Sequence, residues 1–319
     1  MNNQLISPTG RILRISVHVL LLLLLFYTSC FADDLQDIRK RGTLRHLGTQ
    51  YAHFIKKGKK GYVGLDVEVM RLFAKHLGVQ YRFIETTWDT LFTDLTGRKM
   101  IGNTNEFAAE PSEPVKGDII ANGLTVLPWR EKVVNYSVPT FPTGVWVITR
   151  AKSPLTPIKP SGNISRDISN VKTLLKNHSI LTVSHTCLDA KSFNFDSAVN
   201  VVPYTGNNPL DNLIPTVLKG TIDATLLDIP DALISLQKYP GEIIILGPVT
   251  EGQIMGAAVA KSSSNLLKAF NEFFTQIWRD GTYHALVEKY YPSVFLYFED
   301  FFNKKMPIMS HSSKQLSYN

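Results

Sequence analysis

The feature that most narrows the possible folds is an alternation of strand and helix patterns that runs, stops at a proline-rich stretch, and starts again. "DLQDIRKRG" (34–42) reads as a short helix stopped by Gly42, and "TLRHLGT" follows as an alternating strand. "GLDVEVMRLFAKHLG" sets apolar residues at 65, 69, 72, 73 and 77 ahead of Gly78, the pattern of an amphipathic helix with a glycine C-cap. "VQYRFIE" is the next strand, "TWDTLFTDL" a helix capped by Thr86 or Thr87, and "GDIIANGLTV" a third strand. Strands alternating with helices call for a mostly parallel sheet with helices on its faces.

The texture changes in "PTFPTGVWVITRAKSPLTPIKPSGN" (139–163), where an extended apolar run enters a Pro/Ser/Gly-rich segment and reads as a crossing. Beyond it the alternation restarts: helix "DISNVKTLLKN", strands "SILTVS" and "VNVVPYT", helix "PLDNLIPTVLKG", strand "DATLLD", helix "PDALISLQK" and strand "GEIIILG". "GQIMGAAVAK" reads as a return crossing, followed by helices in "SNLLKAFNEFFTQIWRDG" and "YHALVEKYY". The expected division is a first lobe over 33–143 with an insertion at 97–116, a second lobe over 144–252, a return to the first over 253–295, and a tail over 296–319. The start of that tail is aromatic and is expected to pack, its end to fray. Two α/β lobes joined by two crossings leave a cleft, and ligands of open α/β sheets sit beyond the carboxyl ends of the strands. "ANGLTVLPWR" and "LTVSHTCLD" are such strand ends, so Arg130 and Ser184–Thr186 are expected to face one another.

Residues 1–32 stand apart. Arg11 and Arg14 precede the Leu-rich run "ISVHVLLLLLLFYTS", which is shorter than a bilayer span and has the form of a secretory signal. "SCFA" before Asp33 suits cleavage after Ala32, while "YTSC" leaves open a lipid anchor on Cys30; the expected location is the periplasm. The 34 basic and 27 acidic residues give a net charge of +7, and the leader holds two of the arginines and no acid, so the remainder carries +5. The lysines are scattered except for "KKGKK" (56–60), expected to be a solvated loop, so nothing argues for nucleic acid. With Cys187 alone after cleavage, no intrachain disulfide can form. The histidines are dispersed, with no H-x-x-x-H or C-x-x-C pair, so neither a metal nor a cofactor is expected. "SNVK" (169–172) has the form S-x-x-K without companion motifs and is read as a helix cap; no catalytic residue stands out, and no enzyme is expected.

Four segments in order, "GYVGLDVEVMRLFAKHLGVQYRFIETTWDTLFTDL", "GDIIANGLTVLPWREKVVNYSVPTF", "VLKGTIDATLLDIPDAL" and "RDGTYHALVEKYYP", resemble the periplasmic extracellular solute-binding proteins of family 3, which deliver polar amino acids to ABC transporters. The resemblance covers about 35–292 and implies the type II periplasmic binding protein fold. It implies that Arg130 grips an amino acid's α-carboxylate, since a planar guanidinium can make two parallel charge-assisted bonds. It also implies that Thr125 binds the ligand through its backbone N–H and hydroxyl, and that the Gly123 carbonyl accepts from the α-ammonium. Thr186 matches a carboxylate-binding threonine, Asp228 the aspartate that pairs with the ammonium, and Tyr51 an aromatic stacked on the ligand side chain. Each has a local alternative: Asp228 as the cap of the helix after Pro230, Thr186 as a cap, Tyr51 as lobe packing. Trp88 is assigned to the core, and His185 and Cys187 to local structure.

Some features depart from the family. The insertion replaces a short turn and is expected at the end of the first lobe opposite the cleft. The loop "GTQ" lacks an acidic residue that favours cationic ligands, and "SHTC" replaces a Gly-Thr-Thr-like segment. The aromatic tail also resembles the binding module of membrane-bound lytic transglycosylases, whose catalytic domain would follow residue 295, where too few residues are expected to hold it. The expected function is a secreted, monomeric binding protein that closes on a small zwitterion, an L-amino acid, and hands it to an ABC transporter permease. The alternatives are a dehydratase of the cyclohexadienyl type on the same fold, or a sensory or cell-wall-associated ligand module.

Overall fold

The computed structural model of the chain describes residues 34–102, 104–206 and 209–303. The leader expected over 1–32 and the last part of the tail lie outside the described residues.

The first sheet begins with α1 (Asp34–Arg41), β1 (Thr43–Gly48) and a small hairpin of β2 (Lys56–Gly58) and β3 (Gly61–Val63). The lysines of "KKGKK" therefore form an exposed hairpin rather than an irregular loop. α2 (Leu65–Leu77) buries Val69, Met70, Phe73 and Ala74 and ends at Gly78, whose φ of 72° lets its N–H return to the carbonyls of Ala74 and Lys75. β4 (Gln80–Glu85) and α3 (Leu91–Thr96) follow. Helix α3 starts after a turn in which the Thr87 hydroxyl accepts from Thr90 N (3.3 Å), so Thr87 shapes its entry while Thr90 holds the cap position. The expected third strand shrinks to β5 (Ile119–Ile120), because the chain leaves the sheet at once to build the loop described below. The single-turn α4 (Pro128–Glu131) and β6 (Val134–Tyr136) complete this half.

β7 (Phe141–Thr143) is the outgoing crossing, and β8 (Val145–Arg150) enters the second sheet. There follow α5 (Ile164–Leu174), β9 (Ser179–Thr182), β10 (Asn200–Pro203), α6 (Pro209–Leu218), β11 (Ala224–Asp228), α7 (Ile229–Lys238) and β12 (Ile243–Pro248). The chain returns through β13 (Gln253–Met255), antiparallel to β7, and β14 (Ala258–Ala260). It ends in α8 (Ser264–Arg279), α9 (Thr282–Tyr290), α10 (Val294–Tyr297) and α11 (Glu299–Asn303).

The sheet orders are β4-β1-β5-β14-β6 and β10-β9-β11-β8-β12. In each, a single strand second from one edge runs against its neighbours, β14 in the first and β8 in the second. Those two strands are the ones that carry the chain back into the first lobe and out into the second, so the antiparallel member of each sheet is the direct product of the crossing. The first lobe packs α2, α8 and α9 on one sheet face through Phe73, Phe270, Phe274 and Tyr283, and α3 on the other through Leu91, Phe92 and Leu95. The second lobe has its own core around Val147, Leu181, Leu213 and Leu226. The aromatic start of the tail is structural. Phe298, Phe301 and Phe302 are buried in the first core, and Phe302 lies parallel to Trp278 (6.1 Å, 11°).

The insertion is the clearest surprise. Its base lies where expected, with Arg98, Pro111 and Val115 walling a groove of about 380 Å³ against α1. Between these residues the chain projects as a finger, Met100 bridging Phe107 and Ala108 N bonded to Lys99 O (2.8 Å). Phe107 stacks on Trp129 (6.3 Å, 14°), and Asn105 Oδ1 accepts from His185 Nδ1 of the second lobe (3.3 Å). The insertion thus reaches the cleft rather than staying opposite it, because the buried Phe92 and the half-buried Trp129 offer its Phe107 an apolar seat.

Candidate functional site

The loop after β5 is held on three sides. Asn122 Oδ1 accepts from Thr49 N (2.6 Å), Gly123 N donates to Asp66 Oδ2 (2.6 Å), and Val126 N donates to Ile254 O of the returning crossing (2.9 Å). Gly123 has to be glycine: its φ is 53°, and a Cβ there would lie 2.5 Å from the Phe54 ring. Burial pushes the Asp66 carboxyl up to about 7, against the bond from Gly123. This loop sets Thr125 and then, through Pro128 in the first turn of α4, Arg130.

Arg130 is 1% exposed, among the largest fully buried side chains. Its Nη1 donates to Thr125 O (2.9 Å), and its guanidinium carbon lies 5.0 Å from the Trp129 ring and 5.5 Å from that of Phe92. Nε and Nη2 meet no acceptor, and the buried Thr125 hydroxyl beside them has no partner. Each idle buried donor costs about 1–3 kcal/mol, so a cluster of this kind is normally a site awaiting an acceptor. Tyr136 donates to the same Thr125 carbonyl (3.0 Å); burial raises its pKa and the Arg130 charge opposes the rise.

The opposite wall comes from the second lobe. Asp228, 2% exposed, ends β11 and caps α7, accepting from Asp231 N (3.4 Å) with Oδ1. Its Oδ2 accepts from the hydroxyl of Tyr51 across the seam. So the capping role and a cleft-facing oxygen coexist in one carboxylate. Burial pushes Asp228 up to about 6, against bonds from Tyr51 and the Asp231 amide. Burial and then the charge of Asp228 hold Asp231 well above the usual carboxylate range, and its Oδ2 is buried with no partner.

Of the six residues expected to bind ligand, Arg130, Thr125, Tyr51 and Asp228 line this seam, and Gly123 lies in the loop that forms it. Thr186 is committed elsewhere. Its hydroxyl donates to Val183 O (2.7 Å) and accepts from Leu188 N (3.0 Å), which is the local capping alternative. The next residue, Cys187, takes the seam-facing place with Sγ 3.9 Å from Asp228 Oδ2. Burial pushes its thiol up to about 12, Asp228 adding to the rise and Arg130 opposing it from the other lobe. Trp88, expected in the core, is half-buried and packs against the first lobe's core, with its ring also edge-on to Tyr51 (5.8 Å, 77°). Cys187 carried no signal in the sequence beyond a one-residue change of register after β9. Among the described residues no group of three His, Cys, Asp or Glu could hold a metal, and no helix is long and apolar enough to cross a membrane.

The arrangement offers a cationic fork and an anionic carboxylate on opposite walls of one seam, which suits binding of a zwitterion by both ends. Comparisons with known proteins agree in kind. The chain is 26% identical over 269 residues to the L-cystine-binding protein TcyJ of Escherichia coli (strain K12), covering 82% of this chain and 88% of that one. It is 26% identical over 262 residues to the membrane-bound lytic murein transglycosylase F of Desulfosudis oleivorans, covering 82% of this chain and only 51%, about half, of that protein. Its fold matches the crystal structure of the ancestral amino acid-binding protein AncCDT-1, a precursor of cyclohexadienyl dehydratase, with a TM-score of 0.62 and 26% identity over 82% of this chain and all of that one. The neighbouring structures share the two-lobe, type II periplasmic binding protein fold. The family model of the bacterial extracellular solute-binding proteins, family 3, matches residues 47–101 and 112–293, leaving out most of the finger, and the chain belongs to that family.

Proposed function

We propose that the chain is exported by its leader to the periplasm, closes its two lobes around a free L-amino acid, and presents it to an ABC transporter permease. The observation that carries this reading is Arg130: a buried guanidinium with Nε and Nη2 idle beside an idle Thr125 hydroxyl, facing Asp228 from the other lobe. An α-carboxylate would give the two donors parallel charge-assisted bonds, and the α-ammonium would pair with Asp228. Because the two charges sit on different lobes, full binding needs closure, and the ligand's differential affinity for the closed form drives it. The names of TcyJ and AncCDT-1 point to the same ligand class.

The test is thermal melting of the secreted chain against the common L-amino acids. A ligand at a hundred times its dissociation constant should add about 2.7 kcal/mol. A raised midpoint with one or a few amino acids supports the reading; a folded chain that responds to none refutes it. A dehydratase is the second reading, favoured by one observation: Asp231, whose raised pKa and idle Oδ2 would suit a general acid. Turnover of prephenate or arogenate would establish it.

A further inference from the structure

Residues 102–111, which include most of the finger, lie outside the part of the chain matched by the family model. The finger is seated beside the Arg130 end of the seam. Phe107 is parallel to Trp129 and edge-on to Phe92 (6.0 Å, 71°), and those two rings are the ones that flank the guanidinium. Trp129 and Phe92, their centroids 5.4 Å apart, together cover one side of the Arg130 guanidinium, and another side meets the second lobe. On that side stands the turn 183–189, with Cys187 close enough to feel the Arg130 charge. His185, two residues earlier, holds a left-handed φ of 61° and is fixed by its N–H on Asp189 Oδ2 (3.0 Å). Its ring nitrogen Nδ1 donates to Asn105 Oδ1 at 3.3 Å, which ties the finger to the turn.

We propose that Asn105 and Phe107, with His185 opposite, are specificity-determining residues: they wall the carboxylate end of the cleft so that it accepts only ligands that end at a free α-carboxylate. The inference rests on the amino-acid reading above. A substituent on the ligand's carboxyl carbon has to leave the seam between Trp129 and His185, where Asn105 and Phe107 stand. The Asn105–His185 bond joins the lobes, so the wall is complete only on closure, and it discriminates by obstruction rather than by attraction. A dipeptide whose first residue is the bound amino acid keeps the α-ammonium for Asp228 and is refused for its extension alone.

The experiment uses the secreted chain carrying Cys30→Ser, so that Cys187 is the sole thiol in any unprocessed fraction, and compares it with Asn105→Ala, Phe107→Ala and His185→Ala. Calorimetric titration with the L-amino acid found by melting, and with its X–Gly dipeptide, gives a ratio of affinities for each protein. The unaltered finger should prefer the free amino acid by about a hundredfold or more, and Phe107→Ala should cut that preference by about tenfold. Asn105→Ala and His185→Ala, each losing one interlobe hydrogen bond, should weaken amino-acid binding by about 2- to 10-fold. Without ligand, they should also speed the reaction of Cys187 with a thiol reagent. A parent chain that binds an amino acid while the dipeptide ratio stays within about twofold in every variant overturns the wall alone. Equal thiol rates throughout overturn it too. A parent chain that binds no amino acid overturns the functional reading with it.

Discussion

Replacing Arg130 by Met should abolish binding and stabilise the fold at the same time. The two idle donors, Nε and Nη2, would each contribute roughly 1.5–3 kcal/mol as charge-assisted bonds to a ligand carboxylate. Losing both lowers affinity by roughly 3–6 kcal/mol, on the order of 10²- to 10⁴-fold. Without ligand the balance runs the other way. Methionine fills a similar volume and removes a buried charge with two unpaired donors, each costing about 1–3 kcal/mol. Against that stand one bond to Thr125 O, which Tyr136 continues to satisfy, and the contacts with Trp129 and Phe92, together about 1–3 kcal/mol. The net gain is about 2 kcal/mol, or about 4–8 °C in melting temperature for a chain of this size. The assay is a melting curve with and without the cognate amino acid. A variant that melts several degrees below the parent would make Arg130 a structural residue, and one that still responds to ligand would remove it from the site.

Asp66→Asn tests a buried acid behind the site. Its carboxyl goes from 3.8 to about 7, so the native state keeps a proton that the unfolded chain releases, and this contribution to stability falls as pH rises from about 4 to 7. Asp66 keeps some exposure, so roughly 2 kcal/mol is at stake rather than the full interval's ~4 kcal/mol; the variant should melt higher than the parent at pH 8 and equally at pH 4, and a constant difference across that range would refute it. Tyr51→Phe removes the hydroxyl that occupies Asp228 Oδ2, which an incoming ammonium must displace, so amino-acid affinity should rise by about 2- to 10-fold in calorimetry; a loss of affinity would mean that the hydroxyl holds the ligand. Phe302→Ala opens a void against Trp278, Phe141 and Phe295 and should cost about 3 kcal/mol in a denaturant titration, and a cost under about 1 kcal/mol would mean that the tail is not part of the core.

Most of the order of helices and strands along the chain could be anticipated from periodicity, because 65–77 and 264–279 carry the 3.6-residue apolar stripe and "DATLLD" and "GEIIILG" are continuous apolar strands. What failed was local. "GDIIANGLTV" keeps only Ile119–Ile120 in the sheet, since the tie of Gly123 to Asp66 pulls the chain out, and that partner lies 57 residues away. Arg130 was marked by the end of a strand, whereas Thr125, Tyr51 and Asp228 came only from the family resemblance, since contacts such as that of Tyr51 with Asp228 join residues 177 apart in the chain. Thr186 against Cys187 was not legible, because a one-residue shift in the turn after β9 reverses which side chain faces the seam, and only the bonds of Thr186 to Val183 and Leu188 fix it. The place of the finger depended on a seat for Phe107 that is assembled from Phe92 and Trp129, residues close only in the fold.

The central claim is that one small molecule spans Arg130 and Asp228 by its two opposite charges. The direct measurement is calorimetric titration of the secreted chain with the cognate amino acid, its decarboxylated amine and its deaminated acid. The account predicts tight binding of the amino acid and a loss of about a hundredfold or more for each analogue, since each leaves one buried charge unpaired. Either analogue binding as tightly as the amino acid would contradict it.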